Sequence, residues 1–181
     1  MELRDAGPCI VGISGRSQAG KSTIAHALAR SLIEDGISCL RVRLDNWIRP
    51  AEERTPHADA EARNRVAELP AILVALRTGT PVSAPGYDPV TRSAGPRVTY
   101  HPAGRRVIIL EGCFATHRSI RDMIDVALFV EVPAPVQQSR FAAFYRWKGF
   151  DQKATESLWR QRCCDEWPAV DAQRETADLV I

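Results

Sequence analysis

The sequence predicts an α/β protein of three layers, α/β/α, in which a mainly parallel central sheet lies between helices and carries a helical lid. Two observations predict this class. Short apolar runs ending in polar or glycine-bearing turns alternate with stretches of helical periodicity, and strands separated by helices need crossover connections, hence parallel pairing. The polar clusters also fall at the expected carboxyl ends of the strands, where ligands of such sheets bind. With 181 residues, 45% hydrophobic and 25% charged, the chain can bury one sizeable core. No repeat or linker divides it, so residues 1–181 are expected to form one domain.

Pro8 to Ser14 is an apolar run bounded by a glycine-rich turn and reads as a buried strand. From Lys21 to Glu34, Ile24, Ala27, Leu28, Ala29 and Leu32 recur at helical spacing, with Gly36 where the helix would stop. A second strand is expected over Ser38–Leu44. Arg49 to Ala60 is polar and irregular and reads as a mobile excursion; Glu61 to Leu76 then reads as a helix interrupted by Pro70. Thr80 to Gly104 holds many of the prolines and glycines and reads as loops or a small hairpin. Further strands are expected at Val107–Leu110, Ala127–Val132 and Ala177–Ile181, and helices at Pro135–Lys148 and Gln152–Glu166. The lid corresponds to about residues 135–152.

Composition excludes several classes. A formal net charge of +2 sets up no global field toward nucleic acid or an anionic membrane. No apolar run is long enough to span a bilayer, and Met1–Asp5 lacks a signal-peptide layout, so a cytoplasmic protein is expected. Cys9, Cys39, Cys113, Cys163 and Cys164 include no CxxC pair and read as buried free thiols. Apart from Lys21, Lys148 and Lys153 the basic residues are arginines, whose planar forks suit phosphate or carboxylate, although biased composition accounts for many of them equally well.

Chemistry concentrates first in Gly15-Arg16-Ser17-Gln18-Ala19-Gly20-Lys21-Ser22-Thr23, which fits the phosphate-loop pattern G-x-x-x-x-G-K-[ST] between a strand and an amphipathic helix. Amides at the helix start and the helix dipole would cradle phosphate oxygens, Lys21 would reach the β and γ phosphates, and Ser22 would ligate magnesium. This makes the expected architecture a P-loop NTPase fold, with ATP and Mg2+ as cofactors. Asp45 ends the second strand beside that loop; it reads as a base toward a substrate hydroxyl, a magnesium ligand through water, or a cap of the next turn. Trp47 is either a substrate platform or a core residue. Glu111 closes the run Val107–Leu110 and reads as a magnesium-side carboxylate or a solvated strand end. Arg140, Arg146 and Lys148 lie on a helix ending near Gly149, either a lid that closes over phosphates and excludes water or an ordinary basic face.

Taken in order, Gly12-Ile13-Ser14-Gly15, Gly20-Lys21-Ser22-Thr23, Leu44-Asp45-Asn46-Trp47, Pro85-Gly86-Tyr87-Asp88, Ile109-Leu110-Glu111-Gly112, the basic lid and Ala177-Asp178-Leu179-Val180-Ile181 resemble the uridine kinase and phosphoribulokinase group of P-loop kinases over nearly the whole chain. The resemblance implies that Asp45 is the base, that Ser22 and Glu111 help hold magnesium and that Tyr87 lies beside the acceptor. It further implies that Arg140 and Lys148 embrace the phosphates and that Gln173 and Arg174 lie near adenine. The chain departs from the uridine kinases at Trp47-Ile48, at Arg92 in place of a histidine, at Arg63-Asn64-Arg65 in place of an aspartate-rich segment that leaves Asp59, and at Ala143 in the lid. An ATP-dependent kinase for a small-molecule hydroxyl acceptor is therefore expected, with the acceptor among Trp47, residues 49–65, Tyr87 and Arg92. Arg54, Arg63, Arg65 and Arg92 point to an anionic one. The alternative is a nucleotide-binding switch without an acceptor, against which stand the lid and the lack of an N-K-x-D element. Nucleic acid and membrane are not expected partners.

Overall fold

The structure, a computed structural model, describes residues 7–55 and 59–181. Met1–Asp5, on which the signal-peptide expectation rests, and residues 56–58 of the excursion lie outside them. Five strands, β1 (Cys9–Ser14), β2 (Cys39–Arg43), β5 (Val107–Glu111), β6 (Val126–Phe129) and β7 (Leu179–Val180), form one sheet in the order β2-β5-β1-β6-β7. Every pairing in it is parallel. Two short strands, β3 (Val82–Ala84) and β4 (Val98–Tyr100), pair antiparallel as the small hairpin expected within residues 80–104.

The continuous apolar runs follow from burial on both sheet faces. Ile10, Ile108, Leu110, Ala127 and Phe129 point to a core shared with α3 (Leu69–Arg77), through Leu69, Ile72, Leu73 and Leu76. Their neighbours Val11, Ile13 and Ile109 point to the other face, against Ala25 and Ala29 of α1 (Lys21–Glu34). Alternation with period two, each face carrying its own helices, gives the three layers.

The expected helix over residues 61–76 is corrected. A single turn, α2 (Ala60–Arg63), precedes a 3-10 turn at Val66–Glu68, and α3 starts only at Leu69. Pro70 sits in the first turn of α3, where its missing N–H costs no hydrogen bond, so it starts the helix instead of interrupting it. On the carboxyl side, α4 (Ala134–Trp147) and α5 (Gln152–Asp165) match expectation, with Asp151 capping α5 by accepting from the Ala154 amide at 2.7 Å. A further helix, α6 (Trp167–Asp171), and a 3-10 turn at Ala172–Thr176 were not foreseen. The cysteines are free, but Cys164 is exposed and the other four are half-buried, which corrects the reading of buried thiols. Among the described residues no helix is long and apolar enough to cross a membrane.

Candidate active site

The phosphate loop leaves β1 at Ser14 and enters α1 at Lys21. Gly15 has φ +137°, and a Cβ there would lie 2.2 Å from the Val130 carbonyl oxygen, so this turn against the chain just after β6 accepts only glycine. The amides of Gly20, Lys21 and Ser22 donate to nothing among the described residues, and α1 has no side-chain cap, so the loop presents free N–H groups at a helix start. Lys21 Nζ donates back to the Arg16 carbonyl at 2.8 Å and lies 3.6 Å from Cys113 Sγ. Ser17 Oγ is buried without a partner among the described residues. Gln137, nearly fully buried on α4, donates to the Ser17 carbonyl at 3.0 Å and ties α4 to the loop.

Glu111 is directly opposite Ile13 on one side and Arg43 on the other, so the carboxyl ends of three strands lie level. A Cβ on Gly112 would come within 2.7 Å of Leu44 Cβ, and this close approach brings the turn carrying Asp45 up against Glu111. Glu111 is 3% exposed and accepts from Arg41 Nη2 at 2.7 Å through one oxygen. Asp45 is half-buried, with no ion pair or side-chain hydrogen bond among the described residues.

One cavity of about 660 Å³ unites these parts. Ser17 to Thr23, Asp45, Tyr87, Glu111, Arg140 and Lys148 all line it. Arg43, Arg54, Arg63, Cys113, Arg162 and Glu166 line it too. Of these, Arg43, Cys113, Arg162 and Glu166 were not foreseen as site residues. Arg43 carried a signal, standing two residues before Asp45 at a strand's carboxyl end; Arg162 and Glu166 carried none beyond i,i+4 spacing. Lys148 packs its ammonium over the Phe144 and Tyr145 rings at 4.3 and 5.2 Å. Burial first, then Arg92 and Arg162, lower its pKa to about 8, against the opposing pull of Asp88 and Asp45.

Several expectations are corrected. Trp47 is 2% exposed, stacks on Tyr100 at 5.7 Å and stays out of the cavity, so it is a core residue. Arg146 is exposed on the far side of α4 and does not line the cavity, because its helical position faces away from the side that Phe141 and Tyr145 bury. Arg92 does not line it either, though its charge reaches Lys148 and Arg54. Arg174 pairs with Glu131 at 2.9 Å and lines a second, smaller hollow with Arg16, Gln137 and Asp171 beside the loop. Arg16 pairs with Asp171 and lies over the Trp167 ring at 4.5 Å, while Gln173 is buried and bonded to Thr116 and Cys113 instead of facing a ligand. Arg63 and Arg65 are engaged in ion pairs, the first with Asp165 and Glu166, the second with Glu53 and Glu68.

Residues 10–181 match the model of the Phosphoribulokinase / Uridine kinase family. The chain belongs to that family. A uridine kinase of Leuconostoc citreum (strain KM20) is 31% identical over 136 residues, which cover 68% of this chain and 62% of that protein. A uridine kinase of Pasteurella multocida (strain Pm70) is 30% identical over 140 residues, again 62% of its length, so this chain matches less than two thirds of either relative. In fold, it superposes at TM-score 0.77 and 21% identity on a protein of Silicibacter sp. TM1040 provisionally named a fructose transport system kinase, over 100% of this chain and 93% of that one. A possible uridine kinase from Bacillus stearothermophilus gives TM-score 0.69 at 21% identity, over 99% and 91%.

The residues present fit a nucleotide triphosphate and magnesium. Free amides, a glycine turn and the partnerless Ser17 hydroxyl make an anion cradle. Magnesium keeps several waters and takes one or two carboxylates beside phosphate oxygens, which suits Ser22, Asp45 and the second oxygen of Glu111 even though no cluster of three metal-ligating side chains occurs among the described residues.

Proposed function

We propose that this chain is a phosphotransferase that moves the γ phosphate of ATP to a hydroxyl of a small metabolite. The observation that carries this reading is that Asp45, unpaired among the described residues, lines the same cavity as the free amides of the phosphate loop. In this reading the amides of Gly20 to Ser22 hold phosphate oxygens, and Lys21 balances charge building on the transferring group. Asp45 accepts the proton of the acceptor hydroxyl as its oxygen attacks, and the bond to the nucleotide's leaving oxygen breaks. Arg140 and Lys148, on and just after α4, add positive charge while α4 and α5 keep water from the reacting atoms. Magnesium held by Ser22 and Glu111, and by Asp45 through a water, would supply further positive charge to the phosphates.

The test is ADP release from magnesium-ATP, alone and with a panel of nucleosides, sugars and sugar phosphates. Strong stimulation by an acceptor is expected. Asp45→Asn should keep nucleotide affinity and lose about 10²- to 10⁴-fold in turnover, the usual contribution of a positioned base. ADP release indifferent to every acceptor, or full turnover by Asp45→Asn, sinks the reading.

A further inference from the structure

Some cations around the cavity are neutralised by carboxylates, while others, Arg43 and Arg140 among them, have no ion pair among the described residues. Arg63 and Arg162 are neutralised by Asp165 and Glu166, and Arg65 by Glu53 and Glu68. Arg54 has no such partner among the described residues. Its Nε donates to the Arg49 carbonyl at 2.9 Å, its Nη2 to the Tyr87 hydroxyl at 3.3 Å, and its guanidinium stands over the Tyr87 ring at 5.9 Å. These contacts fix its direction without supplying negative charge. Arg92 is held close by, its carbonyl accepting from the Ala51 amide at 2.8 Å, and Lys148 approaches the same ground from the lid. Burial first, and then the charges of Arg92 and Arg63, disfavour the charged form of Arg54, against the opposing pull of Tyr87. Like charges gathered in a half-buried place are unfavourable, and an anion set among them relieves the repulsion. The phosphate loop has its own cation in Lys21 and its own amides, and Arg54 belongs to a different segment, tied to the Tyr87 turn.

We propose that Arg54, oriented by Tyr87 and assisted by Arg92 and Lys148, is the seat for a carboxylate or phosphate carried by the acceptor, so that the acceptor is an anionic hydroxyl compound. This rests on the kinase reading above and narrows it. A neutral nucleoside or sugar would leave these cations unbalanced, whereas a fixed guanidinium fork gives a carboxylate or phosphate two parallel hydrogen bonds.

The test uses the full chain saturated with magnesium and a non-hydrolysable ATP analogue, so that the phosphate loop is filled. Absence of heat with the analogue itself would strike the kinase reading, independently of the anion titrations. Inorganic phosphate and acetate are then titrated by calorimetry into the wild type, Arg54→Gln and Arg54→Lys. Saturable binding of one or both is expected. Arg54→Gln should weaken it about 10- to 100-fold, the range of a charge-assisted hydrogen-bond pair, with partial recovery in Arg54→Lys. The better-bound probe separates phosphate from carboxylate. In turnover, ribose 5-phosphate is compared with ribose, and gluconate with glucose; the charged member should lead, and Arg54→Gln should raise its KM with the KM for ATP held within about twofold. Equal anion binding by wild type and Arg54→Gln at matched melting temperatures, or preference for the neutral member of both pairs, overturns the proposal.

Discussion

Arg63→Met tests whether the end of α5 is fastened to the α2 side of the cavity by a buried ion network. The Arg63 side chain is 7% exposed and reaches Asp165 Oδ2 and Glu166 Oε2, each at 3.1 Å, while Arg162 also holds Glu166 Oε2. Methionine keeps the packing volume and removes the cation. Glu166, with its carboxylate 3% exposed and its other oxygen already without a partner among the described residues, then keeps only Arg162. Breaking a buried pair costs about 3–5 kcal/mol. The remaining Arg162 contact and the quarter-exposed Asp165 put this case near the low end, about 3 kcal/mol. For a chain of this length that corresponds to a melting temperature lower by roughly 6–12 °C. Thermal and urea unfolding followed by circular dichroism measure it. The double variant Arg63→Met/Glu166→Leu removes the stranded charge and should recover most of the loss. A single variant within about 2 °C of wild type, or a double variant no better than the single, would refute the reasoning.

Three other outcomes are expected. Gly15→Ala, which drives a methyl to 2.2 Å from the Val130 carbonyl at a positive φ, should displace the phosphate loop and abolish binding of a fluorescent ATP analogue by equilibrium titration. Lys21→Ala should lower turnover far more than nucleotide affinity, read from kcat and from calorimetry, since its charge matters most where negative charge develops. Lys148 is a cation below about pH 8 and neutral above, so turnover should fall as pH rises through 8, and Lys148→Arg should extend the plateau upward. The sign for stability is the reverse: between about 8 and the ordinary 10.5 the unfolded chain holds this proton more tightly, so wild-type stability should rise with pH relative to Lys148→Met.

The sheet, the phosphate loop and the level of Asp45 and Glu111 were legible because each is written in consecutive residues. An apolar run that ends in glycine or a carboxylate states both a strand and where its end points. What escaped depends on partners far away in sequence. Arg63 reads as a ligand for an anion until Asp165 and Glu166, more than a hundred positions later, claim it. Arg174 gives no sign in the sequence of its pair with Glu131, 43 positions earlier. Pro70 reads as a break in one long helix, because the turn at Val66–Glu68 that lets α3 begin beside it has no periodicity of its own.

Trp47 shows how a wrong reading can still belong to the site's logic. Residues Leu44–Trp47 form a 3-10 turn, in which side chains three apart stand one above the other. Leu44 and Trp47 therefore share a direction, and both are buried, at 7% and 2% exposure, with Trp47 stacked on Tyr100. The Tyr100 hydroxyl in turn accepts from Asn46 Nδ2 at 2.6 Å and from the Arg43 amide at 3.2 Å, bracing both ends of the turn. With positions 44 and 47 committed to the core, Asp45 can only project away from it, toward the cavity. The indole that reads in sequence as a platform for substrate instead fixes the carboxylate's direction, and it does so from the buried side, where a large flat side chain resists rotation best.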